Sequence, residues 1–152
     1  MSIRQATVAD LPRIIELGAQ LHAESPRWSR ISFNAERARR TMVNLLDSAD
    51  GTIFVHEFGG QVTGGIAGMI QQHWASDEIV AHEVSFFISR DRRGGIAACR
   101  LICALDAWAR IRGAAWLTVG TSTGVDPELT AQLYERLGFT RCAIGLERVY
   151  GN

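Results

Sequence analysis

Apolar positions change their period several times along the chain, and each change marks an element. Ser2 to Ala6 alternates apolar with polar side chains, the pattern of a short strand. Thr7 and Asp10 stand three apart as in a capping box. Leu11, Ile14, Leu17 and Leu21 then recur at helical spacing, with Pro12 tolerable in the first turn. Ser25-Pro26 opens a loop that carries Arg27, Trp28, Arg30 and Phe33. Asn34 caps a second helix whose apolar stripe is Ala38, Met42, Leu45, Leu46 and Ala49.

From Thr52 the pattern turns to β. Thr52 to Phe58, the Gly59-Gly60 turn, Gln61 to Trp74 and Ile79 to Ser89 predict three strands in an antiparallel meander. The last of these is the most apolar and reads as a central strand buried on both faces. Asp91 to Gly95 breaks it, and a long helix runs to about Arg112 with Ala98, Leu101, Ile102, Leu105, Trp108 and Ala109 on one face. Gly113 suits its C′ position. Ala115 to Val119 is a further short strand. Asp126-Pro127-Glu128 supplies a cap, an N1 proline and a first-turn acid for a last helix ending at Gly138. Phe139 to Tyr150 reads as terminal β-structure, one bent strand or two. The order is strand, two helices, three strands, helix, strand, helix and terminal strand. It predicts an α/β fold with a central twisted mixed sheet and helices on both faces. No repeat or linker divides residues 1–152, so one domain is expected.

Composition excludes several function classes. A chain of 152 residues, 47% hydrophobic and 21% charged, is globular rather than disordered. Its 16 basic and 16 acidic residues cancel, which argues against capture of nucleic acid or an anionic membrane by whole-molecule charge. Every basic residue is arginine. Without a single lysine no Walker-A nucleotide site can exist, and codon bias is the simplest account of the omission. The opening residues lack a signal-peptide core and no segment reaches the ~20 apolar residues of a membrane span. With an odd cysteine count, the expected setting is a reducing cytoplasm. Cys99 and Cys103 would share a helix face, but nothing nearby completes a metal site, so they read as small hydrophobes and no metal is expected.

The segment Phe86-Phe87-Ile88-Ser89-Arg90-Asp91-Arg92-Arg93-Gly94-Gly95-Ile96-Ala97-Ala98 carries the chemistry. A strand running through a glycine turn into a helix leaves several backbone N–H groups unpaired and aimed at one point. Together with the helix dipole and adjacent guanidinium groups they suit a phosphate, although glycines and charges also serve ordinary turns. The first strand is not followed by the Gly-x-Gly-x-x-Gly that a dinucleotide fold requires, which demotes that alternative.

Arg92-Arg93-Gly94-Gly95-Ile96-Ala97 resembles the Arg/Gln-x-x-Gly-x-Gly/Ala signature of the GNAT acetyltransferase superfamily. Leu133-Tyr134-Glu135-Arg136-Leu137-Gly138-Phe139 resembles its second hallmark, and Ile3-Arg4-Gln5-Ala6-Thr7 with Asp10-Leu11 is similar to its opening. The resemblance spans the chain and implies a GNAT-like fold with acetyl-CoA as cosubstrate. It implies the pyrophosphate on Arg92, Arg93, Gly94, Gly95, Ile96 and Ala97. The pantetheine arm would lie along Phe86, Phe87, Ile88 and Ser89, with Thr118 to Thr121 as the opposite wall. The family often has an asparagine where this chain has Asp126-Pro127, so Thr121 or Ser122 is expected to substitute.

Tyr134 matches the family's general acid, against the plainer reading of a packed helix residue between Leu133 and Leu137. Glu83 is the candidate base, direct or through water. His82 points to the other face unless a bulge upsets the alternation. The acceptor pocket draws its candidates from Arg27, Trp28, Arg30, Phe33, His73 and Trp74, and an arginine-and-aromatic lining would suit an acceptor bearing a carboxylate or phosphate. The expected function is N-acetylation of a small-molecule or peptide amine, with a homodimer possible. A non-catalytic CoA-binding module and an acyltransferase acting on a nucleic-acid-linked amine are the alternatives.

Overall fold

The computed structural model describes residues 2–151. Its elements follow in the order β1 (Ser2–Gln5), α1 (Leu11–Glu24), α2 (Ala35–Asp47), β2 (Gly51–Phe58), β3 (Gln61–Gln72), β4 (Ile79–Ile88), α3 (Ile96–Ile111), β5 (Leu117–Thr118) and α4 (Pro127–Arg136). The sheet runs β1-β2-β3-β4-β5, antiparallel except for the parallel β4–β5 pair.

Local signals set the ends of these elements. Asp10 Oδ2 accepts the Thr7 backbone N–H at 2.8 Å, and this box closes a 3-10 turn that leads into α1. Asn34 Oδ1 accepts the Arg37 N–H at 2.8 Å to start α2. Gly59 and Gly60, with φ of 61° and 77°, make the β2–β3 hairpin, and Gly113 ends α3 at φ 78°. Asp126 departs from its expected role. It sits in the left-handed region at φ 50° and its side chain caps nothing, so Pro127 alone pre-sets the start of α4.

Two apolar layers cover the sheet. On one side α1 and α2 place Leu11, Ile14, Leu17, Leu21, Met42 and Leu45 against Ile53, Val55, Ala67 and Phe87. On the other, Leu101, Ile102 and Leu105 of α3 pack with Ile66 and Tyr134. Leu11, Leu101 and Leu105 are fully buried, each contributing about 1.5–3 kcal/mol of transfer free energy.

Two expectations need correction. β3, not the strand over 79–89, is the central and most buried strand, because β5 is too short to cover the far edge of β4. Residues 139–151 form no strand. From Thr140 to Gly151 they are exposed and unpaired with the sheet, so it has five strands. A segment can alternate like a strand, but it becomes one only where a free edge accepts its N–H and C=O groups. Among the described residues, no helix is long and apolar enough to cross a membrane.

Candidate functional site

The site lies where β4 and β5 part. The two strands pair only at Ala81–Leu117 and His82–Thr118, while β4 continues to Ile88. The β5-facing edge of β4 beyond His82 therefore has no strand partner. On its other edge β4 carries a bulge. Gly68 pairs with Glu83 and Ala67 with Ser85, so Val84 is the extra residue. Glu83 consequently shares the α3 and α4 face with Gly68, while Val84 packs with the α1 and α2 cluster. Ser85 borders a cavity under those same two helices. A regular strand would have put Ser85 on the face of Glu83.

Tyr134 reaches Glu83 from α4. Its hydroxyl donates to Glu83 Oε2 at 2.5 Å, and its ring, 3% exposed, stands edge-on to Phe139 at 5.4 Å and tilted to Phe86 at 6.3 Å. The Glu83 carboxylate also accepts the Gly120 backbone N–H. Desolvation pushes the Glu83 pKa above the ordinary carboxylate value, against the lowering effect of these two hydrogen bonds. Glu83 keeps some exposure as a residue, but its carboxyl group is well shielded from water. The Tyr134 phenol is raised above its usual value by burial first, then by the Glu83 charge and hydrogen bond, so it holds its proton. His82 turns to the opposite face, where Nε2 lies 3.1 Å from Gln71 Nε2.

The turn into α3 has the shape of an anion cradle. Gly94 takes φ 78°, Gly95 is extended, and no side chain caps the helix start, so the first N–H groups of α3 are free. Gly94, Gly95 and Ile96 are exposed while Ala97 is buried. The Ser89 hydroxyl is buried without a hydrogen-bond partner at the mouth of this turn, although its N–H donates to Thr63 O. Phe87 points into the α1 and α2 core, and Ile88 packs on the α3 side.

The arginines are deployed unequally. Arg93 donates to Ile88 O at 3.1 Å and pairs with Glu24 at 2.7 Å, and Arg90 also pairs with Glu24. Burial pushes the Glu24 carboxyl up, but Arg93 and Arg90 outweigh it and hold the group below its ordinary value. Arg93 thus braces the turn against α1. Arg92 lies over the Phe58 ring at 4.0 Å with an exposed guanidinium beside the cradle. The roles of Glu24 and Phe58 were not foreseen, since nothing local ties them to a turn more than thirty positions away.

Thr121 begins a turn closed by the Gly124 N–H on its carbonyl at 3.0 Å. The turn is held by the Ser25 hydroxyl on Thr123 O and by Arg27 on Ser122 O. Among the expected acceptor-pocket residues, Trp28 and Phe33 line the cavity under α1 and α2. Arg27 and Arg30 do not, being paired with Glu147 instead. His73 and Trp74 stand apart at the β3–β4 turn beside Trp116. Among the described residues no group of three His, Cys, Asp or Glu could hold a metal ion, and Cys99, Cys103 and Cys142 are free thiols.

Comparison with known proteins bears on the family and the fold. Residues 19–139 match the model of a family described as Acetyltransferase (GNAT) family. No curated protein sequence matches the chain. A transcriptional regulator from Bacillus halodurans C-125 superposes with TM-score 0.78 at 18% identity, covering 98% of this chain and 99% of that one. An aminoglycoside 6'-N-acetyltransferase from Acinetobacter haemolyticus gives 0.76 at 16%, covering 100% and 99%. An aminoglycoside N-acetyltransferase in complex with CoA gives 0.78 at 18%, covering 98% and 93%. At these identities the likeness shows the fold.

Proposed function

The chain belongs to the GNAT acetyltransferase family, and on that premise we propose that it moves an acetyl group directly from acetyl-CoA to a primary amine of a small molecule or peptide. The observation that carries this reading is the Tyr134–Glu83 hydrogen bond at the parting of β4 and β5, next to an uncapped helix start.

The residues present fit acetyl-CoA. Gly94 leaves open space where a side chain would stand, the first N–H groups of α3 can donate to a pyrophosphate, and Arg92 adds charge beside them. The unpartnered Ser89 hydroxyl and the free edge of β4 from Glu83 to Ile88 offer polar groups to an extended chain lying along the strand, with Thr121 opposite. Bound acetyl-CoA supplies a thioester carbonyl carbon and a thiolate leaving group.

An amine near neutral pH arrives as an ammonium and must lose a proton before it can attack. Glu83, directly or through water, takes that proton, its raised pKa bringing it nearer to the operating pH. Tyr134, held protonated, donates to the departing sulfur, and its hydrogen bond to Glu83 lets the carboxyl return a proton to the phenol oxygen. Of the two protons the nitrogen gives up, one ends on the thiol and the other in solvent.

The test is Tyr134→Phe, followed by calorimetry with acetyl-CoA and by thiol release with a panel of amines. Acetyl-CoA affinity should be retained while kcat falls at least about tenfold. An unchanged kcat removes Tyr134 from the chemistry. Tight acetyl-CoA binding with no thiol release from any amine points instead to a non-catalytic CoA-binding module.

A further inference from the structure

A cavity of about 140 Å³ lies between α1, α2 and β4, and its walls are apolar. Ile14, Leu21, Met42 and Phe87 form the interior, while Trp28 and Phe33 are only partly buried. The polar side chains on it are His22, whose ring centroid is 5.4 Å from that of Phe33, and Ser85. No carboxylate lines it. Arg27 and Arg30, the cations expected here, are turned away onto Glu147.

Gly18 is the informative residue. It sits in the interior of α1, where glycine is unfavourable relative to alanine, and it lines the cavity. A Cβ at this position would meet nothing within 4 Å. No close backbone contact demands the glycine, and its φ is not in the left-handed region. What it does is leave the cavity its volume. Trp28 lines the same space, and its backbone N–H donates to Ser25 Oγ at 2.9 Å.

We propose that this cavity seats the acceptor's side group, and that the acceptor is a primary amine carrying one compact apolar or aromatic group rather than a polycationic aminosugar or polyamine. The inference rests on the transferase reading for its chemistry. The volume matches a benzene-sized ring, since an apolar cavity of about 150 Å³ is known to take one. The wall supplies no carboxylate to pair with additional ammonium groups. Because Val84 is bulged, Ser85 faces the cavity two positions along β4 from Glu83 but on the opposite face of the sheet, and the β4 edge left open past His82 is the path between the cavity and the carboxylate. A ring in the cavity therefore presents an amine on a short tether to the open strand edge where Glu83 lies.

Binding of 4-fluorophenethylamine, followed by fluorine NMR with and without saturating CoA, tests this directly. Saturable binding is expected, with displacement by phenethylamine and none by kanamycin or spermidine. Gly18→Leu fills the cavity and should weaken binding at least about tenfold while leaving CoA affinity within twofold. Should Gly18→Leu fail to fold, Gly18→Ala serves, with a raised Tm and a smaller loss of amine affinity. Absence of saturable binding to the wild-type protein overturns the proposal. So do equal affinity in a folded Gly18 variant and displacement by kanamycin alone. Thiol release from acetyl-CoA with the wider amine panel, and its loss in Tyr134→Phe, report separately on the transferase reading, so the two failures are distinguishable.

Discussion

A carboxylate shielded from water destabilises the fold unless hydrogen bonds offset the lost hydration, and Glu83 has bonds from the Tyr134 hydroxyl and the Gly120 amide. Desolvation still dominates and raises its pKa. The folded state therefore keeps this proton to higher pH than the unfolded chain. The contribution to stability is complete below the ordinary carboxylate value and is lost as pH rises through the raised one. Glu83→Gln should accordingly be as stable as the wild type or more so at pH 8, with the difference vanishing by pH 4, while activity falls at least about a hundredfold. Urea unfolding at the two pH values checks it, and destabilisation at pH 8 contradicts it.

Asp10 has the opposite sign. Hydrogen bonds from Arg4 at 2.8 and 2.9 Å hold its pKa at about 2, below the ordinary carboxylate value. Its contribution is present above that ordinary value and disappears as pH falls toward 2. With Arg4 partly exposed, Asp10→Asn should cost roughly 1–2 kcal/mol at neutral pH and little at pH 2, measured by denaturant titration.

At the scale of elements, contacts between backbones set how closely helices approach the sheet. A Cβ on Gly51 would lie 2.5 Å from Leu45 O and 2.9 Å from Leu45 Cα, so the end of α2 meets the start of β2 main chain to main chain. Gly51→Ala must push them apart and should cost about 1–3 kcal/mol, visible as a lowered urea midpoint. Wild-type stability in that variant would show that α2 can shift freely. Elements bounded by local chemistry were legible in the sequence. Thr7 with Asp10, Asn34, Gly59-Gly60 and Gly113 all sit where their side chains or φ values are needed. The terminal β-structure was not, because Ile144 and Leu146 record only that the segment could pair.

For the whole molecule, residues 140–151 are held by charge rather than by the sheet. Arg27 and Arg30 pair with Glu147, and Arg141 pairs with Glu128 and Glu135, all at the surface. Exposed pairs of this kind contribute little and are screened by salt. Removing residues 143–152 should leave the urea midpoint unchanged within error. A marked loss would mean that the segment packs in solution against a surface it does not touch here.

The sequence by itself determined the element order as far as α4, the glycine turn at 94–95, and the family through two motifs about 40 residues apart. These are local properties, written in period, caps and turn residues. Tertiary structure alone decided that Val84 bulges and so separates Glu83 from Ser85 onto opposite faces. It also decided that Tyr134 reaches Glu83 across 51 positions, that Glu24 takes up Arg90 and Arg93, and that Gly18 leaves space under α1. Each depends on which edge or face a distant element presents, and no spacing along the chain encodes that.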